Sequence, residues 1–181
     1  MLKIKDTTIG GLKIIESQAF RDNRGAFFRA FCKDNLDQHG VKFDICQTNV
    51  SINPHQFTMR GFHYQKVPAS EAKILTCLAG EIYNVVIDLR PNSETYLKHQ
   101  AFHIDSKAHQ SLLVPAGCAN AFLTMQDDTI IYYLMDAYFS HDNYTGFRYD
   151  DSFFNISWPK ETKVISEKDL NFVPFEETNL S

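Results

Sequence analysis

Long apolar runs are missing from this 181-residue chain. Nowhere do 18 apolar residues follow one another, which excludes a membrane-spanning helix. A surplus of positive charge is missing too: 18 Lys and Arg stand against 22 Asp and Glu, for a formal charge of −4. That balance offers no broad basic surface, so nucleic acid is not expected as a partner. Cysteine is sparse, with Cys32, Cys46, Cys77 and Cys118 spread singly and no CxxC pair. A zinc knuckle or a thioredoxin-like site is therefore not expected. Cys32, Cys46 and Cys77 lie in apolar runs and read as buried free thiols in a reducing cytoplasm. The N-terminal stretch has no apolar core followed by a small-residue cleavage site, so no signal peptide is expected. No repeat, low-complexity tract or Gly/Ser/Pro linker divides the chain, and its length suits one domain spanning 1–181.

What the chain does have is aromatic residues, 13% of the total with 15 Phe and 8 Tyr, within a 44% hydrophobic composition. Such residues favour sheets. Residues 25–32 are compatible with a strand, and 33–40 read as a short helix or loop ending at Gly40. Lys73–Leu78 and Ile82–Leu89 flank Ala79-Gly80-Glu81, which reads as a hairpin. Tyr83, Val85, Ile87 and Leu89 share one face of the second strand, and Asn84 and Asp88 the other. The arrangement recurs as Ser111–Val114, Pro115-Ala116-Gly117 and Ala119–Thr124, followed by a β-rich run at Thr129–Phe139. Segments 91–110 and 160–181 read as long connections or short helices. Many short strands separated by turn signals predict an all-β barrel or sandwich with a few short helices.

Seven histidines are present, and taken singly each reads as a surface or packing residue. The segment Met59-Arg60-Gly61-Phe62-His63-Tyr64-Gln65 differs, because it puts an arginine and a histidine three residues apart beside a glycine. An arginine can hold a phosphate, and a histidine can move a proton at neutral pH. No second histidine follows His63 two residues on, and Pro115-Ala116-Gly117-Cys118-Ala119-Asn120 carries none either. Three or four N, O or S ligands for a catalytic metal are not supplied, so no metal is predicted.

An ordered set of motifs is more specific: Phe20, Asp22-Asn23-Arg24-Gly25 and Phe27; Gln47-Thr48-Asn49-Val50-Ser51; Arg60-Gly61-Phe62-His63-Tyr64-Gln65; Lys73; Gly80-Glu81; Asp88-Leu89-Arg90. After these come Pro115-Ala116-Gly117, Tyr133, Tyr138, Trp158-Pro159 and Ser166-Glu167-Lys168-Asp169. Over roughly residues 12 to 173 the chain resembles the dTDP-4-dehydrorhamnose 3,5-epimerases. The resemblance implies a cupin-like jelly-roll β-barrel, free of metal and other cofactors, acting on a nucleotide-linked 4-keto-6-deoxyhexose. A ketone at C-4 acidifies the hydrogens at C-3 and C-5, so epimerisation needs a base, a means of stabilising the enolate, and an acid on the opposite face. By resemblance His63 is the base and Asp169 its orienting carboxylate. Lys73 faces the C-4 oxygen, Tyr133 is the proton donor and Tyr138 a second active-site tyrosine. Arg24, Gln47, Asn49 and Arg60 hold the diphosphate and nucleotide, with Asn120 and Lys168 at the same pocket. The resemblance also implies a homodimer that exchanges N-terminal strands, the Arg24 region serving the neighbouring subunit's site. Tyr133 and Tyr138 are five residues apart, so a regular strand cannot aim both at one pocket; either a bulge intervenes or Tyr138 lies in the next turn. Tyr132 is expected to face away and pack.

The chain departs from the family pattern at four places. Arg29 and Asn84 stand where acidic residues are expected, Asn120 where a histidine is, and Tyr144 where a glutamate is. The change at 29 opens the nucleotide to CDP as well as TDP, and the change at 120 puts double inversion in question. A sugar-nucleotide 3,4-ketoisomerase and a non-catalytic sugar-nucleotide-binding barrel are the competing functions. The first needs no acid opposite the base, and the second needs no His–Asp pair.

Overall fold

A computed structural model of the chain describes residues 2–176. Among these residues the strands are β1 (Leu2–Asp6), β2 (Lys13–Ser17), β3 (Phe20–Asp22), β4 (Gly25–Phe27), β5 (Gln47–Asn53), β6 (Met59–Gln65) and β7 (Lys73–Ala79). They continue as β8 (Glu81–Asp88), β9 (His99–Asp105), β10 (Gln110–Val114), β11 (Cys118–Thr124), β12 (Thr129–Met135) and β13 (Tyr144–Gly146). Two short helices are α1 (Lys33–Gln38) and α2 (Glu167–Leu170). One antiparallel sheet runs β1-β2-β10-β7-β12-β5 and a second runs β13-β6-β11-β8-β9, while β3 and β4 form a separate ribbon. The two large sheets face each other as the all-β, cupin-like jelly roll that the resemblance implied.

Apolar side chains are buried on both sides of each sheet. Between the sheets, Leu75, Cys77 and Ile131 of one meet Ile82, Val86, Cys118 and Phe122 of the other. On the outer face of the five-stranded sheet, Phe62, Val85, Ile87 and Ala121 are covered by Phe147, Phe154 and Phe175. On the outer face of the six-stranded sheet, Ile15, Ile74, Leu113 and Leu134 are covered by Leu36 of α1 and by Phe43. Burial on both faces explains why β7 and β11 read as near-continuous apolar runs. The expected split of β8 holds, with Asn84 and Asp88 on the inner face and no exposure at either.

Both expected hairpins are corrected. β7 and β8 lie in different sheets, as do β10 and β11, so Gly80 and Gly117 are corners that carry the chain from one sheet to the other. Gly80 has φ +76°, and a Cβ there would sit 2.3 Å from Thr129 Oγ1. A glycine with positive φ ends a strand in a hairpin or at a corner alike, so the turn residues could not tell the two apart. Segment 91–110 also contains β9, an edge strand on β8 whose exposed residues His99, Ala101 and His103 hide its period. In 25–32 only Gly25–Phe27 is strand. Cys46 is exposed rather than buried, its thiol turned towards the Asp136 carbonyl. Cys77 and Cys118 are buried, and burial pushes both thiols up to about 12.

The pairing of β6 with β11 contains the step on which the pocket depends. Asn120 stands opposite His63 and Phe122 opposite Arg60. Two steps on β11 therefore match three on β6, so Gly61 and Phe62 together oppose Ala121. This bulge turns Arg60 and His63, three residues apart, to the same side, while Phe62 and Tyr64 pack on the outer face. Gly61 has φ +112°, and a Cβ there would lie 2.5 Å from the Asn120 carbonyl oxygen. Gly61→Ala therefore costs at least about 2 kcal/mol of stability from backbone strain and overlap. Any variant that still folds loses the alignment of His63 with Arg60. Thermal unfolding and activity of the variant check this, and a full-rate, equally stable variant would show the bulge to be dispensable.

Candidate active site

A cavity of about 300 Å³ opens between the two sheets. Its wall on the six-stranded sheet follows the period-2 rule. Gln47, Asn49 and Ser51 project from β5, with Val50 at the rim, Tyr133 and Met135 from β12, and Lys73 from β7. These lie in rows across the strands: Met135 stands opposite both Gln47 and Lys73, and Tyr133 opposite Asn49. The other wall carries Arg60 and His63 from β6, Asn120 and Phe122 from β11 and Tyr144 from β13.

His63 Nε2 lies 2.8 Å from Asp169 Oδ1, and the Gly61 amide donates to Asp169 Oδ2 at 3.2 Å. Asp169 is buried, and Ser166 Oγ accepts from its amide, capping α2. The capping role and the histidine contact are therefore both present, and the cap fixes where the carboxylate points. Burial pushes the Asp169 carboxyl up, but the bonds from His63, Gly61 and Ser166 outweigh it and hold it below its ordinary value. With Nε2 engaged, Nδ1 is the ring nitrogen free to exchange a proton. The His63 ring is flanked by Tyr144 at 5.3 Å and Phe172 at 5.9 Å between centroids.

Tyr133 faces the cavity, and Tyr132 packs on the outer cluster, as expected. Burial pushes the Tyr133 hydroxyl well above the ordinary tyrosine range, although the Arg60 charge pulls against it. Tyr144 is raised as well, by burial and then by the charges of Asp169 and Glu71. Both hydroxyls therefore stay protonated at neutral pH. Lys73 is buried, its Nζ 2.8 Å from Glu71 Oε1. Arg60 donates from Nε to Asn53 Oδ1 at 2.7 Å, which fixes its stem while the guanidinium reaches the cavity.

Two expected residues are not brought to this cavity. Tyr138 lies beyond the end of β12, in the next turn, and is 72% exposed; Phe139 and Tyr144 line the wall instead. Arg24 sits on the β3–β4 ribbon with its side chain 85% exposed and bonded to Asp22. Lys168 is close by, its Nζ 4.0 Å from the centre of the Tyr144 ring. Asn120 lies on the same wall as His63, paired with it on the neighbouring strand, and its amide meets that of buried Asn84 at 2.9 Å. Sequence reasoning missed Glu71. Its spacing two residues before Lys73, at the mouth of a strand, was the available signal. Among the described residues no three His, Cys, Asp or Glu side chains converge as a metal site.

A His–carboxylate pair, a buried lysine and a protonated tyrosine around one cavity suit proton transfer beside a carbonyl. The family model described as dTDP-4-dehydrorhamnose 3,5-epimerase matches residues 6–177. The chain belongs to that family. A dTDP-4-dehydrorhamnose 3,5-epimerase from Sinorhizobium fredii is 34% identical over 163 residues, 90% of this chain and 84% of the relative. A crystal structure of the enzyme from Bacillus anthracis with TDP and PPi bound is 33% identical with a TM-score of 0.94, covering 97% of this chain and 100% of that one. A 3'-monoepimerase from Streptomyces bikiniensis in complex with dTDP-quinovose is 27% identical with a TM-score of 0.87, covering 93% and 85%. By this membership the chain is an isomerase, a deoxysugar epimerase that works on a sugar nucleotide.

Replacing Asp169 by Asn leaves the epimerase's His63 without an anion to orient it. We expect kcat to fall by roughly 10²–10⁴-fold, the worth of a positioned base, with nucleotide affinity kept. The sign of the pH effect follows from the depressed carboxyl. Its stabilising contribution is present above the unfolded value near 3.8 and is lost as pH falls through the lower folded value. Asp169→Asn should therefore lose less stability between pH 5 and the acid limit than the parent, as read from unfolding midpoints at a series of pH values.

Proposed function

We propose that residues 1–181 work as one domain that epimerises a dTDP-linked 4-keto-6-deoxyhexose, inverting C-3 and exchanging C-5 slowly or not at all. His63, oriented by Asp169, takes the C-3 proton. The electron pair moves to the C-4 oxygen, where the Lys73 ammonium offsets the charge. Tyr133 then gives its hydroxyl proton to C-3 from the opposite face, and solvent restores both groups. The net change is inversion with no oxidation or reduction. What carries this reading is that His63 and Tyr133 project into one cavity from different sheets, with the base already held by a carboxylate. A ketoisomerase has no use for that acid, and a pure binder has no use for the His63–Asp169 pair.

The cavity's volume, about 300 Å³, suits the sugar ring rather than the whole sugar nucleotide. In this reading the diphosphate and base extend past Arg60, Gln47 and Asn49, with Lys168 beside them. Arg24 then serves a partner subunit, since its side chain and the Phe20 and Phe27 rings of its ribbon are exposed. The working form is a homodimer in the cytoplasm. TDP is favoured over CDP because relatives were solved with TDP and with dTDP-quinovose. The restriction to C-3 rests on Asn84 and Asn120, a neutral amide pair beside His63, and on Tyr144, which narrows the same wall.

Turnover of the dTDP-linked keto sugar in deuterium oxide, read by mass, tests this. One deuteron should enter quickly and none with His63→Ala. Two entering at similar rates would mean that both centres are inverted. None entering with any nucleotide would leave the binder.

A further inference from the structure

Glu71 is a carboxylate in the substrate cavity to which nothing above gives a task. It lies just before β7, two residues from Lys73, and extended backbone turns the two side chains to one side. Both are buried, at 7% exposure each. Both carboxylate oxygens are engaged: Oε1 is 2.8 Å from Lys73 Nζ, and Oε2 accepts from Gln65 Nε2 at 3.0 Å. Gln65 is itself held at both ends, its Nε2 shared with the Ala69 and Tyr138 carbonyls and its Oε1 accepting from the Ser140 amide. A carboxylate held by two donors is poorly placed to take a proton from substrate, but well placed to fix a cation.

Resting on the epimerase reading above, we propose that Glu71 is a positioning residue: anchored through Gln65, it holds the Lys73 ammonium at the sugar end of the cavity, where the enolate oxygen forms. A lysine is a point charge on a flexible four-carbon stem, and a diphosphate at the mouth would draw it outwards. The buried carboxylate opposes that pull, and it gives the buried ammonium the counter-ion that low-dielectric surroundings require. The other titratable and charged groups facing this pair are His63 and Arg60 from β6, Tyr133 from β12 with Asp136 just beyond it, and Tyr144 from β13. Asp136 is engaged with the Ala72 amide at 2.6 Å, leaving Glu71 as the lysine's counter-ion.

The test uses Glu71→Gln, Glu71→Asp and Lys73→Met in the full chain, with kcat and KM taken from C-3 deuterium exchange and dTDP binding read by thermal shift. Glu71→Gln should bind dTDP within about twofold of the parent, since both carboxylate oxygens are turned to Lys73 and Gln65. Its kcat should fall about tenfold with KM little changed, less than the ~10²-fold or more for losing the Lys73 donor. Glu71→Asp keeps the charge, so it should recover most of that loss. Glu71→Gln should add little to Lys73→Met, because both remove the same interaction. A Glu71→Gln enzyme with the parent's kcat would overturn the proposal. So would one as inert as His63→Ala, which would make Glu71 the base. An inert parent would instead sink the epimerase reading itself.

Discussion

One irregular step in one strand pair underlies the whole site. Where β6 spends two residues, Gly61 and Phe62, against the single Ala121 of β11, the side chains of Arg60 and His63 come to the same wall. In a regular strand one of them would point into the outer aromatic cluster. The same step lets the Gly61 amide donate to Asp169, so the bulge also helps hold the carboxylate that orients His63. Glycine is required there on two counts, its left-handed φ and the Asn120 carbonyl that leaves no space for a Cβ. The segment that looked unusual in the sequence, an arginine and a histidine around a glycine, is unusual because the backbone between them is.

Much of the architecture was legible because it follows from local chemistry. Alternation in β8 and β12 set their faces correctly, and Tyr132 and Tyr133 divided between packing and cavity as a period of two demands. The connections were less legible. Gly80 and Gly117 announce a turn, but whether the next strand pairs with the last or crosses to the other sheet depends on apolar surfaces far away in sequence. β9 was hidden because its solvent-facing residues are histidines and an alanine, with nothing to mark a strand. At the site, Asp169 lies 106 residues from His63, and no spacing argument reaches across that gap. Only the resemblance joined them. Tyr138 was carried over by the same route and stands outside the cavity, where Phe139 and Tyr144 take the wall. Glu71 went unnoticed because an acid in a polar stretch ahead of a strand usually meets water.

The polar groups of the cavity are divided by depth. Lys73 and Glu71 are buried together, and Asp169 is buried beneath His63. Arg60 remains more open, tethered at its Nε by Asn53. Each buried charge thus has a counter-ion or hydrogen-bond donors within reach, which is what low-dielectric surroundings require. The result is a cavity whose inner end is fixed before substrate arrives and whose outer end keeps a cation free for anionic groups. Preorganisation of that kind is where enzymes gain most of their electrostatic advantage.

Among the described residues β5 pairs with β12 alone, at the margin of its sheet. One face of it supplies Gln47, Asn49 and Ser51 to the cavity, while Ile52 on the other is exposed and Val50 reaches the cavity rim. A single ribbon of backbone is all that separates the two. Mutations on the outer side of this ribbon can therefore tilt or slide the inner side without altering any group that meets substrate. In an evolving lineage such positions are a dial for substrate preference that leaves the chemistry alone, and a directed library confined to 48 and 52 would turn that dial from behind.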